Sequence, residues 1–399
     1  MAIANPPRVP RPPARGPRAL VGIGFAALVL APVALLALPG CRPAAGPSPA
    51  PSLPIPVLKP VSVEELDQYA GSQECISCHP DYAGQLQTHH ALTLANVSAE
   101  VDGPRFQRPS GLKDNYYDVT YTTRLKGSEC VLEATSGKHR ASIRAEYAFG
   151  SGNRGVTYLG RFDGEPVELR LSYYRDGGRW HFTPGQPIGA PIQTPVGRSM
   201  TPELVEQCFQ CHVTALATRD GKVDPERSIF GVGCESCHGP GRAHIEAARR
   251  GDRNLLIARL SDQRERLTEE LCGQCHRTPD NAMGATPTPM DESQLARLQS
   301  VAMVRSDCYR KSAGKLSCVT CHDPHRNADS TTDLEYNQKC VSCHTPAAAG
   351  HVACPKEPAG DCVTCHMPRQ TVDIPTSPKF RNHWIKVWSE DAKRKKEQP

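Results

Sequence analysis

A five-residue pattern, Cys-x-x-Cys-His, recurs seven times in this chain. It falls at Cys75/Cys78/His79, Cys208/Cys211/His212, Cys234/Cys237/His238, Cys272/Cys275/His276, Cys318/Cys321/His322, Cys340/Cys343/His344 and Cys362/Cys365/His366. Thiols three residues apart stand one turn along a helix, on one side of it. From there both can add across the two vinyl groups of one porphyrin, and the histidine that follows is held under the iron as an axial ligand. With 18 cysteines and 15 histidines in 399 residues, chance placement gives roughly 0.03 such pentapeptides. Paired cysteines also build zinc ribbons and thioredoxin-type sites. A zinc ribbon spends two pairs on each metal and has no use for a histidine after each second cysteine. A thioredoxin motif occurs once, inside a βαβ pattern that this sequence lacks. The expectation is therefore seven covalently attached haem c groups, the motif cysteines being anchors and the motif histidines proximal iron ligands.

A second protein ligand on each iron decides what such a group can do. Two histidines make a six-coordinate, low-potential carrier, whereas an empty position admits a substrate. Outside the motifs stand His89, His90, His139, His181, His244, His325, His351 and His383. His325 follows His322 by three residues and His244 follows His238 by six. A residue one turn along from a proximal histidine stays on the proximal side, so these two should reach neighbouring irons. His90 (or its neighbour His89) and His383 border the motifs and are similar candidates. His351 is left open, and His139 and His181 suit ordinary turn and strand positions. On this tally one or two irons lack a distal histidine. Met367 directly follows His366 and cannot swing to the opposite face, while Met200, Met283, Met290 and Met303 suit packing. Of the other cysteines, Cys308 and Cys354 could pair in an oxidising compartment, leaving Cys130 unpaired.

The elements that must position these residues have little to fold on. The chain holds 37 prolines, 32 glycines and 6% aromatics, and from Cys208 to His366 each motif has about 26 residues to itself. Units of that size need a metal or covalent staples. The expected fold is mainly α with little regular structure around a packed multihaem core, plus an antiparallel β-rich insertion, α+β overall. Without haem the motif region should be largely unfolded. In order, the expected parts are an export signal (1–41), a proline-rich tether (42–60), a first haem segment (61–104), the β-rich insertion (105–195), a six-haem domain (196–385) and a charged tail (386–399). The insertion is read from β-branched and aromatic runs such as Val167–Tyr174, separated by Gly-rich turns. Thr201-Pro202-Glu203 and Thr268-Glu269-Glu270 are helix starts leading into motifs, and a helix is expected over Ala243–Leu267. The last three motifs begin 22 residues apart, at 318, 340 and 362, a spacing that suits closely stacked haems.

The formal charge is +5, but Arg8, Arg11, Arg15 and Arg18 all precede Cys41 with no acid among them. A chain starting at Cys41 carries 43 basic and 42 acidic side chains, and each haem adds two propionates. Nucleic-acid binding has no support. The apolar run Ala19–Leu38 ends in Leu38-Pro39-Gly40-Cys41, similar to a bacterial lipoprotein signal with Cys41 as the lipidated residue. A retained N-terminal anchor and plain secretion are the alternatives. All three place the rest of the chain on the periplasmic side of a bacterial membrane.

Gly231-Val232-Gly233-Cys234-Glu235-Ser236-Cys237-His238-Gly239-Pro240-Gly241, with His244 beyond it, resembles the multihaem cytochrome family that includes cytochrome c-554. Cys318-Val319-Thr320-Cys321-His322-Asp323-Pro324-His325, Cys362–Pro368 and His383-Trp384-Ile385 fit the same pattern. The resemblance implies periplasmic electron transfer through packed, mostly bis-histidine haems, with His90, His244, His325 and His383 as distal ligands. The expected partners are donor and acceptor redox proteins and, through the N-terminus, a membrane. Related enzymes include hydroxylamine oxidoreductases and pentahaem nitrite reductases, but the Cys-x-x-Cys-Lys motif of the latter is absent. Three functions follow as expectations: an electron carrier between a membrane redox complex and an acceptor; an oxidoreductase with one open haem acting on a small nitrogen or sulfur oxyanion or hydroxylamine; and a structural subunit that docks a partner oxidoreductase.

Overall fold

The computed structural model describes residues 52–282, 294–345, 354, 360–371 and 379–389. Cys41, the N-terminal signal, His351, Met283 and Met290 lie outside them. The strands in chain order are β1 (Pro60–Ser62), β2 (Leu94–Asn96), β3 (Leu112–Asp114), β4 (Val119–Lys126), β5 (Glu129–Ser136), β6 (His139–Phe149), β7 (Gly155–Phe162) and β8 (Glu165–Leu169). They continue with β9 (Leu171–Tyr174), β10 (Arg179–Phe182), β11 (Gly197–Ser199), β12 (Val213–Arg219), β13 (Lys222–Val223), β14 (Ile229–Phe230), β15 (Arg369–Gln370) and β16 (Phe380–Arg381).

Ten of them, β2 to β11, form one antiparallel sheet, with the path β10-β9-β7-β6-β5-β4-β3 and β2, β8 and β11 added at β6, β7 and β8. The sheet curls because β7 changes partner along its length, meeting β9 at Gly155–Val156 and β8 from Leu159 on. The register also shifts between Ala145 and Tyr147 of β6, a bulge of the kind that bends a strand. Gly160 lies opposite that shift, and a Cβ there would stand 2.0 Å from the Arg144 carbonyl oxygen, so no larger residue fits. Alternate residues turn inward to a core of Phe106, Tyr121, Leu132, Ile143, Tyr158, Leu169 and Phe182. Inside it, Arg170 pairs with Asp114 at 2.7 Å, the two side chains being 3% and 0% exposed.

This sheet corrects the mainly-α expectation. Of the described residues 33% are helical and 25% are in strands, and the ten-stranded sheet dominates the architecture. The helices around the motifs are four to nine residues long, as in Cys234–His238, Cys318–Cys321 and Asp333–Val341, too short to hold themselves without tertiary support. The helix expected over Ala243–Leu267 is shorter as well. It runs Arg242–Arg250 and stops where Gly251 takes a left-handed conformation, φ 73°, the common helix-ending device. A 3₁₀ turn, Leu260–Arg266, follows after an irregular stretch.

A second core joins the sheet to the motifs. Phe209, fully buried on helix Pro202–Gln210, meets Phe149 and Tyr147 of β6 edge-on at 5.1 and 5.5 Å between ring centroids. Leu94, Leu159, Met200, Val213 and Leu216 close around it. The helix starts as its sequence dictates, with the Thr201 hydroxyl accepting from Leu204 N–H and Pro202 in the first turn. The chain then passes through His212 directly into β12, which pairs with β1, β13 and β14. Before β1, in the stretch expected as tether, Gln274 accepts from Leu58 N–H at 2.6 Å and donates to the Pro56 carbonyl at 2.8 Å. Among the described residues no helix is long and apolar enough to cross a membrane.

Candidate haem-binding sites

Each motif histidine needs a fixed tautomer, with one ring nitrogen occupied and the other facing the iron. The fold supplies the first half of that requirement at five of them. Nδ1 of His212 bonds the Thr93 carbonyl at 3.0 Å, that of His238 the Ala258 carbonyl at 3.0 Å, and that of His276 the Gln299 amide oxygen at 3.0 Å. Nδ1 of His322 donates to the Tyr336 hydroxyl at 3.1 Å and that of His366 to the Lys386 carbonyl at 3.0 Å. Nε2 is thereby the nitrogen left for a metal. Burial holds His212, His238, His276 and His322 below the ordinary imidazole pKa, so they are neutral, the form that ligates.

Four of these histidines each face a second histidine from a distant part of the chain. His79 and His244 stack with ring centroids 6.3 Å apart and planes 17° apart, and His238 and His325 do so at 6.3 Å and 14°. His322 and His383 stand 6.1 Å apart at 37°, and His276 and His90 6.2 Å apart at 68°. Two imidazoles on one iron, with bonds of about 2 Å, place their nitrogens about 4 Å and their ring centres roughly 6 Å apart. All four separations match that span and exceed ring contact. The residues therefore fit an iron porphyrin. Burial, with the neighbouring histidines adding to it, lowers His90 and His383 to about 4.

Local chemistry aims the second histidines too. Nδ1 of His244 bonds the Leu255 carbonyl at 2.7 Å, that of His383 the Arg381 carbonyl at 3.0 Å, and that of His325 the Asp323 carboxylate at 3.1 Å. His383 follows β16, whose pairing with β15 ties it to the strand after Cys362–His366. His90 is set by its backbone. Its carbonyl accepts from Val232 N–H at 2.9 Å, and Gly231, φ 77°, lets the chain come so close that a Cβ would stand 2.0 Å from the Ala91 oxygen. His89, by contrast, turns to Asp329 at 3.4 Å.

The motif cysteines meet one another. Cys75 lies close enough to Cys234 to interact with it, as do Cys211 with Cys275, Cys272 with Cys318, and Cys340 with Cys362. Cys272 and Cys275 also sense Cys237, and Cys321 senses Cys343. The motifs are thus neighbours in series, from the Cys75 motif through those at Cys234, Cys272, Cys318 and Cys340 to Cys362, with the Cys208 motif beside that at Cys272.

Several motif residues reach solvent, His79 of the first motif among them. His344, expected as a proximal ligand, is exposed on the turn after helix Asp333–Val341, with its backbone N–H bonded to the Cys340 carbonyl at 2.9 Å. Cys365, expected as an anchor, is exposed on the five-residue helix Cys362–His366, and Cys78 and Cys343 are exposed as well. In the last two motifs the first cysteine, Cys340 or Cys362, is the more covered of the two and makes the contact between motifs.

The remaining candidates lie elsewhere. His139 is exposed at the start of β6, and His181 sits in β10 with its buried Nδ1 unpartnered. Met200 is packed in the Phe209 cluster. Cys130 is buried in the sheet core. The supporting groups Gln299 and Tyr336 were not singled out from sequence. Tyr336 stands 14 residues beyond His322 with no local pattern to mark it, whereas Asp323 lay in view within Cys-His-Asp-Pro-His.

Comparison with known proteins agrees with this chemistry. The sequence model of the family described as cytochrome c554 and c-prime matches residues 193–239, which hold the motifs at Cys208 and Cys234. No curated protein matches. Among solved structures, the outer cell wall cytochrome OcwA is similar over 80% of each chain, with 14% identity and a TM-score of 0.46. The family match and the motif support a c-type cytochrome carrying covalently attached haem c.

Proposed function

We propose that this chain is a heptahaem electron-transfer protein, exported across the cytoplasmic membrane, tethered at Cys41 and exchanging electrons with donor and acceptor proteins. The observation that carries this reading is the set of four histidine pairs, each joining two motif neighbourhoods at 6.1–6.3 Å. Haem c, when bound, supplies one-electron exchange between ferric and ferrous iron. The protein's part is positional. Two cysteines of each motif would anchor a porphyrin and the motif histidine would hold its iron, and at four motifs a second histidine would join it: His244 for the Cys75 motif, His325 for Cys234, His90 for Cys272 and His383 for Cys318. The neighbouring motifs keep successive groups close, and the Nδ1 acceptors prevent ring rotation that would cost ligation.

His212 favours a second reading, in which one iron is open to a small nitrogen or sulfur oxyanion or hydroxylamine. Among the described residues the ring beside His212 is that of Phe149, at 5.3 Å and 76°, which cannot ligate. Electron paramagnetic resonance of the oxidised holoprotein separates the two. Low-spin signals alone leave only the carrier. A stoichiometric high-spin ferric signal that moves on adding nitrite or hydroxylamine establishes an open iron.

A further inference from the structure

Seven of the histidine Nδ1 hydrogen bonds described above end on uncharged oxygens: backbone carbonyls, the Gln299 amide and the Tyr336 hydroxyl. His325 is the exception. Asp323 Oδ1 accepts both the His325 backbone N–H at 3.0 Å and its ring Nδ1–H at 3.1 Å. The carboxylate is two residues from the histidine it holds, across Pro324, and the Tyr82 ring packs on the far side at 4.6 Å. Resting on the reading that His238 and His325 share one iron, we propose that Asp323 sets the potential of that iron and makes it the most reducing of the four bis-histidine centres.

The argument is electrostatic. A charge-assisted hydrogen bond is stronger than a neutral one, and an anionic acceptor draws the Nδ1 proton away from the ring. The imidazole gains imidazolate character, Nε2 becomes a stronger donor, and the ferric state is stabilised over the ferrous. The opposite extreme lies two motifs along. The Tyr336 hydroxyl donates its own proton to the Ala328 carbonyl at 2.7 Å and accepts from His322 Nδ1 at 3.1 Å. A neutral phenol is a weaker acceptor than a carboxylate, so the iron between His322 and His383 is the less reducing of the two. The Cys272 motif lies between these two in the sequence, and the difference in acceptors gives that stretch a slope.

The test is spectroelectrochemical titration of the wild-type holoprotein and of Asp323→Asn and Asp323→Ser, with haem count and electron paramagnetic resonance on each. Both variants remove the charge, and Asn keeps an oxygen at the same reach from His325, so in Asp323→Asn a merely structural role would leave the titration unmoved. The expected result, in either variant that assembles, is a rise of the most reducing component by at least threefold in its redox equilibrium. That is about 28 mV at 59 mV per tenfold for one electron, with the rest of the curve in place. A curve within threefold of wild type at every component, with haem count and low-spin signals retained, overturns the proposal and leaves the carrier reading standing. If His325→Ala keeps every low-spin signal, His325 is not a ligand, and both the shared iron and the role of Asp323 fall.

Discussion

His244 shows how much of this protein depends on single side chains acting at a distance. It sits six residues from His238 yet faces His79, at 6.3 Å, because helix Arg242–Arg250 carries it away from its own motif. His244→Ala should leave the covalent haem count unchanged, since both Cys75 and Cys78 remain, and should convert one low-spin centre to high-spin. The measurement is electron paramagnetic resonance beside a haemochrome assay. An unchanged low-spin spectrum would remove His244 from the ligand set. The motif cysteines and histidines were legible because haem attachment is written in five consecutive residues. Which second histidine meets which motif was not. His90 and His276 lie 186 positions apart, and their meeting depends on the Ala91–Gly231 approach, which no local spacing encodes.

At the scale of elements, the sheet is held by a buried ion pair that function does not touch. Burial alone would raise the Asp114 pKa, but the Gly189 and Tyr116 N–H groups and the Arg170 guanidinium outweigh it, and the net shift is downward. A depressed folded-state pKa contributes stability that is complete above the ordinary carboxylate value near 3.9 and is lost as pH falls through the lower folded value. Arg170→Ala leaves the carboxylate buried without its cation, and at pH 7 should cost about 3–5 kcal/mol in urea unfolding followed by the sheet's circular dichroism. The deficit should shrink toward pH 3, where Asp114 can take up a proton. A pH-independent deficit would assign the loss to packing. The strand texture of this region is plain in its alternation, but its weight was underestimated for two reasons. Leu94–Asn96 and Gly197–Ser199 join the sheet from outside the 105–195 stretch, and helices of four or five residues around the motifs contribute little to set against it.

Taken whole, the molecule combines a sheet with its own apolar core and a motif-bearing region whose motifs neighbour one another in series. The sheet packs on helix Pro202–Gln210 through Phe149, Tyr147 and Phe209, which fixes the Cys208 motif directly to it. The other motifs are held by short helices and by hydrogen bonds such as Cys318 N–H to the Thr268 hydroxyl at 3.2 Å. Such an arrangement makes sense when porphyrins fill the space between, since the polypeptide there offers small clusters such as Leu295, Val301 and Ala302 in place of a large core. The central claim is therefore the occupancy of all seven attachment points. Intact-mass measurement of the mature holoprotein, read as the number of covalently bound haems per chain, tests it most directly. Seven per chain is the predicted result; a homogeneous protein carrying fewer would contradict the account, because the series of neighbouring motifs would then be broken.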